Sequence, residues 1–208
     1  MYTLSELRAI ARKSLSGAWG MAVLVMLILY IVSGVIGYIP YVGPFVIWLI
    51  AGPLALGVAA YFLRTVRGER PELPVMFSGF QNFGSAFLLY LLMAVLVFLW
   101  SLLLVIPGII AALRYSMAYF ILNDNPNMSP IDAIRASGDM MRGQKGRLFL
   151  LGLSFIGWAI LCIPTFGIGY LWLGPYMYTS YAAFYEELRT RQSGFTAPED
   201  PAHPTAAV

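Results

Sequence analysis

The sequence predicts an all-α integral membrane protein whose six transmembrane helices pair into three hairpins, and three observations predict it. Apolar residues make up 60% of the 208 residues and charged ones only 11%, against about 25% charged in an average soluble domain. A soluble fold of this size cannot hide so much apolar side chain, so lipid must be its solvent. The apolar residues gather in long segments, and the charged residues avoid every second connection between them.

Six segments can be drawn: Trp19–Ile39, Phe45–Leu63, Phe83–Ile106, Ile109–Leu122, Leu148–Ile163 and Ile168–Tyr185. An unbroken helix from Phe83 to Leu122 would be about 60 Å long, twice the roughly 30 Å of a bilayer core, so the chain turns within it. Pro107-Gly108 is the expected breaker, because proline cannot donate to the helix ladder and glycine allows the reversal. Similar punctuation, Ile39-Pro40-Tyr41-Val42-Gly43-Pro44 and Ile163-Pro164-Thr165-Phe166-Gly167, ends the first and fifth segments. Three hairpins with Ile-Pro tips containing glycine follow, and the pattern suggests an internal triplication.

Charge placement gives the orientation. The three tips carry no charge, whereas the N-terminus, Arg64–Glu72, Asp124–Arg147 and Glu186–Arg191 hold nearly all of it. Basic residues mark the cytoplasmic side, so both termini and the long connections are expected in the cytoplasm. A rival layout lays Ile109–Leu122 flat on the outer surface, which would export Arg135, Arg142, Lys145 and Arg147 together, a cluster that resists translocation. Arg8, Arg12 and Lys13 ahead of the first segment mimic a signal peptide, but that segment is too long and lacks a small-x-small cleavage site; it reads as an uncleaved span.

The connections carry amphipathic signals. Thr3-x-x-Glu6 fits a capping box, with Leu4, Leu7, Ala11 and Leu15 following on one face. Phe77, Phe80 and Phe83 recur every third residue, and Ser129-Pro130-Ile131-Asp132 supplies an N-cap, a proline at the first helical position and an acid in the first turn. These pieces are expected as interfacial helices on the cytoplasmic face. Residues 1–191 thus read as one polytopic domain and 192–208, rich in Ala, Pro and Thr, as a disordered cytoplasmic tail.

Four stretches, LRAIARKSLSGAWG, LWSLLLVIPGIIAALRYSMAYFILNDNP, AIRASGDMMRGQKGRLFLLGLSFIGWAIL and GIGYLWLGPYMYTSYAAFYEEL, resemble a bacterial membrane-protein family of unknown function, DUF975. The resemblance covers nearly the whole chain except the tail. It implies a multi-pass protein of the bacterial plasma (inner) membrane, distantly similar to membrane domains attached to some glycerophosphodiester phosphodiesterases. It implies no activity and supplies no catalytic residues.

The residues themselves assemble no catalytic constellation. The acids fall in connections or at helix ends, so the chain is read as a non-enzyme. Gly138-x4-Gly143-Gln144-Lys145 approaches a P-loop, but the lysine is one place late, glycine follows it and no strand precedes it. Asn123-Asp124-Asn125-Pro126-Asn127 matches no calcium loop and reads as turn chemistry. One cysteine, Cys162, and one histidine, His203, exclude a Cys/His metal site, no cofactor is indicated, and no basic run interleaved with aromatics points to nucleic acid.

Arg114 is the anomaly. It lies seven residues past Pro107, about 10 Å below the tip, and a mid-bilayer arginine costs at least about 2.5–3.5 kcal/mol with no acid inside any segment to offset it. Three offsets are open: donation to carbonyls freed by Pro107 or Pro164 or to hydroxyls of Tyr115, Tyr119 or Tyr170; snorkelling with local thinning; or an anion, such as a lipid phosphate, held in a hydrated cavity. Arg142, Lys145 and Arg147 ahead of the fifth segment orient the chain and could also clamp anionic headgroups. The expected ligand-binding set is therefore Arg114, Tyr115, Tyr119, Arg142, Lys145 and Arg147. The expected function is binding or translocation of an anionic amphiphile, a lipid or amphipathic peptide, with membrane lipids as partners. The alternative is a non-transporting scaffold or accessory subunit, in a homo-oligomer or beside another membrane protein.

Overall fold

The computed structural model describes residues 2–165 and 167–195. Among them it is helical throughout, with no strand: α1 (Leu4–Leu15), α2 (Trp19–Gly37), α3 (Val42–Val66), a 3-10 helix (Leu73–Phe80), α4 (Phe83–Leu103), α5 (Val105–Tyr115), α6 (Ala118–Asp124), α7 (Pro130–Met140), α8 (Lys145–Cys162) and α9 (Tyr170–Phe195). Five stretches, Trp19–Gly37, Val42–Val66, Phe83–Leu103, Val105–Asp124 and Lys145–Cys162, are long and apolar enough to cross a membrane. The protein is membrane-embedded.

α9 lies outside that set although it is 26 residues long. Tyr170, Tyr176, Tyr178, Tyr181 and Tyr185 lower its hydropathy, and Glu186 and Glu187 follow at once. Of the expected tail, residues 192–195 complete α9 and the remainder lies outside the described residues, as does Phe166 in the third tip.

Local chemistry sets the helix starts. The Thr3 hydroxyl accepts from the Glu6 backbone N–H at 3.3 Å while the Glu6 carboxylate accepts from the Thr3 backbone N–H at 2.6 Å, the expected capping box. The Ser129 hydroxyl accepts from the Asp132 N–H at 3.2 Å with Pro130 in the first turn. The second hairpin, however, breaks at Leu104, which is extended (φ −170°, ψ 153°), rather than at Pro107. Proline needs no donor in a first helical turn, so α5 begins at Val105 and carries Pro107 inside it. Gly108 then lies directly on Ser101, where any side chain would collide, and this lets α4 and α5 close tightly.

The long helices form two rings. α3, α5 with α6, and α9 stand inside, and α2, α4 and α8 stand outside, each bridging two inner neighbours: α2 between α9 and α3, α4 between α3 and α5, α8 between α5 and α9. Burial follows this order, reaching 61% for α3 and 44% for the α5–α6 stretch against 17%, 11% and 22% for the outer helices.

At the charged end a short helix folds back on each inner helix. The 3-10 helix lies along α3 as far as Pro53, α7 lies on α6, and α1 lies on α9. The first of these contacts is backbone against backbone, since a side chain at Gly57 would strike the Met76 carbonyl and one at Gly79 the Pro53 carbonyl. The apolar core collects at this end: Leu7, Leu15, Phe62, Leu63, Met76, Met117, Met141, Phe184 and Tyr185 are all essentially closed to solvent.

Candidate functional site

α5 and α6 are two pieces of one apolar stretch, and a side chain from α7 fills the break between them. Ser137, fully buried, accepts from the Met117 N–H at 3.2 Å and donates to the Arg114 carbonyl at 2.9 Å. One hydroxyl thus satisfies a donor and an acceptor that the interrupted helix ladder leaves open. Asn123 similarly donates from its side-chain amide to the Leu56 carbonyl at 3.0 Å, tying α6 to α3.

Two ion clusters close the charged end. In one, Arg67 reaches Asp124 at 2.8 Å and Glu186 at 2.6 Å, Arg189 reaches Asp124 at 3.2 Å, and the Tyr185 hydroxyl donates to Asp124 at 2.8 Å. Burial works against the Arg67 charge, but hydrogen bonds to Asp124 and Glu186, with their negative charges, outweigh it and hold its pKa above the ordinary value. In the other, Glu187 receives Arg147 at 3.0 Å, Arg191 at 2.9 Å and the Tyr2 backbone N–H at 3.1 Å. Arg147 also donates to the Tyr2 carbonyl and lies over the Phe184 ring. Adjacent residues on α9 therefore bind different neighbours: Glu186 joins α9 to Arg67 at the end of α3, which also holds Asp124 of α6, and Glu187 joins it to α8 and the lead-in to α1.

The six expected ligand residues do not converge. Arg114 is exposed on the flank of α5 that meets α7, with its guanidinium over Gly138 and 5.7 Å from the Tyr115 ring. Among the described residues it makes no ion pair, and its side chain makes no hydrogen bond to a carbonyl or to a tyrosine hydroxyl. Tyr115 is buried. Arg142 pairs with Asp139 at 2.8 Å on the exposed surface, and Arg147 is committed to Glu187. Lys145 opens α8, and Tyr119 faces a cleft that the sequence did not announce.

That cleft, of about 550 Å³, lies between α5 and α8 with α3, α6 and α9 behind it. Ile109, Leu113, Phe149, Leu153 and Ile156 form its apolar walls, Ala55, Ala59 and Gly152 give it room, and Tyr119, Tyr178 and Tyr181 line its depth. The three tyrosine hydroxyls bond to no described protein group. Lys145 is not part of the cleft wall but stands one turn before Phe149 on the same face of α8. A second cavity, of about 310 Å³ between α2, α3 and α9, shares Ala55 and Tyr178 with the first. Sequence reasoning missed the acids of the ion clusters because it placed them at helix ends without partners. The available signal was Glu186-Glu187 closing an apolar helix with Arg189 and Arg191 three and four residues on.

A family model described as a protein of unknown function, DUF975, matches residues 1–107 and 102–192. No curated protein and no solved structure matches the chain.

Proposed function

The chain belongs to the DUF975 family, and from that premise we propose that it is a non-enzymatic protein of the bacterial plasma membrane that binds or moves an anionic amphiphile. The cleft between α5 and α8 carries this reading. Its volume of about 550 Å³ lies within the range of sites for small ligands, about 300–1,000 Å³. An apolar wall with a few inward hydroxyls suits a hydrocarbon chain with a polar end. Lys145 supplies a cation where the head of that ligand would emerge. Arg142 and Arg147, committed to Asp139 and Glu187, contribute orientation rather than grip. In this reading α9 also crosses the bilayer, the three tips face outward and both termini face the cytoplasm. Membrane lipids are its partners, and it needs neither cofactor nor nucleic acid.

The test is photo-crosslinking in vesicles with a phosphatidic acid bearing a diazirine on its acyl chain. Peptides from α5 and α8 should carry the label, Gly152→Leu should remove most of it by filling the cleft, and Lys145→Gln should weaken it several-fold. Gly152 has room for that change, because an added Cβ would meet only the Tyr181 hydroxyl at 3.6 Å. A scaffold without a ligand path would instead be labelled evenly around the outer helices, unaffected by Gly152→Leu, and that result would overturn the reading.

A further inference from the structure

The apolar surface of the bundle is not equally tall on all sides. α4 is free of charge over its 21 residues, about 31 Å of helix, which matches a bilayer core of about 30 Å. On α5 the apolar run from Val105 ends at Arg114 after about 13 Å, and on α8 the run from Leu148 to Cys162 measures about 22 Å. A bilayer meets a short apolar face by thinning. α7 requires the same, because its bond from Ser137 to the Arg114 carbonyl fixes it beside Arg114 while Asp132, Arg135 and Asp139 along it and Arg142 just past its end stand exposed. Those charges belong among headgroups and water, so the polar layer reaches inward to Arg114.

We propose that Arg114 seats the phosphate of one membrane phospholipid on the outer flank of the protein, in the angle between α5 and α7. The guanidinium is exposed, and no described carboxylate pairs with it. Gly138 is what lets it lie against α7, since a Cβ there would come within 2.7 Å of the arginine Nε. Arg135 lies one turn before Gly138 on α7 and Arg142 just past the helix end, each tied to its own aspartate at 3.5 and 2.8 Å. That face is therefore near neutral apart from Arg114. One phosphodiester carries the single negative charge that balances it, and its oxygens accept two parallel hydrogen bonds from the guanidinium. The seat is separate from the cleft: Ile109, Leu113 and Ser116 face the cleft, and the helical period turns Arg114 to the opposite flank of α5. It therefore stands or falls independently of the proposed function.

The experiment counts phosphatidylglycerol retained by the full chain after purification in mild detergent, by native mass spectrometry, with a neutral glycosyl diacylglycerol and inorganic phosphate as comparison probes. The unaltered protein should hold one more phosphatidylglycerol than Arg114→Gln. Gly138→Ala keeps the charge and favours the helix but displaces the guanidinium, and it should lower retention several-fold. Arg114→Lys, which keeps charge without the two-pronged geometry, should fall between, and it decides the matter together with Gly138→Ala should Arg114→Gln not fold. Gly152→Leu should leave this lipid in place. Equal retention by Arg114→Gln and the unaltered protein, equal retention of the glycolipid, or displacement of the lipid by millimolar inorganic phosphate would each overturn the proposal.

Discussion

The two ends of the bundle are built from the same apolar helices and held in different ways. At the charged end, Arg67, Asp124 and Glu186 tie three inner helices to one another, Glu187 ties α9 to α8, and three short helices seal the core beneath them. At the tip end, Tyr38, Ile39, Tyr41, Leu102, Leu104 and Ile106 are exposed, and no ion pair joins one hairpin to the next among the described residues. The difference separates two tasks. Polar bonding fixes the helices at one end, where water would otherwise compete, and close packing, such as that of Gly108 on Ser101, joins them at the other.

Three substitutions would break or sharpen this contrast. The largest effect is expected from Glu187→Gln, because its side chain is only 4% exposed and the change removes the negative charge that Arg147 and Arg191 share; an amide oxygen still accepts from them and both arginines reach solvent, so the loss should lie at the lower end, about 3 kcal/mol, of what breaking a buried pair costs. Thermal unfolding in detergent should show a large drop in Tm, and an unchanged Tm would mean that this end is held by packing alone. Ser137→Ala comes next, at about 1–3 kcal/mol for the donor and acceptor left open, and hydrogen exchange should then rise at Met117 before it rises elsewhere. The smallest effect belongs to the other end. Tyr41 holds a left-handed φ of 64°, which costs a side chain about 1–2 kcal/mol, so Tyr41→Gly should leave stability unchanged or raise it by less than about 1 kcal/mol, glycine's own chain entropy offsetting part of the gain. A loss of stability there would show that the tips bear more of the fold than their exposure indicates.

Much of the architecture was legible in the sequence because it is local. The Thr3 and Ser129 caps and the apolar stretches each depend on neighbours within a few residues, and periodicity reports them. The Pro107 break was misplaced by three residues, since proline is harmless in a first turn and an extended Leu104 leaves no compositional mark. The interruption between Tyr115 and Ala118 was invisible for another reason: Ser137, which makes it tolerable, arrives from a different helix. The ion clusters pair residues 57 and 119 positions apart, a separation that no motif spans. Arg114 was recognised as an unmatched cation, but a flank defined by Gly138 could not be foreseen from a glycine in an ordinary helical sequence.

The seating of α1 against α9 has a bearing on biosynthesis. Leu7, Ala11 and Leu15 are wholly covered, and Tyr2 is gripped by Glu187 and Arg147, yet the ribosome makes α1 well before α9. Until α9 emerges, that greasy stripe lacks the largest part of its native cover. A nascent chain stalled or cut short ahead of Tyr170 would therefore leave much of that stripe uncovered.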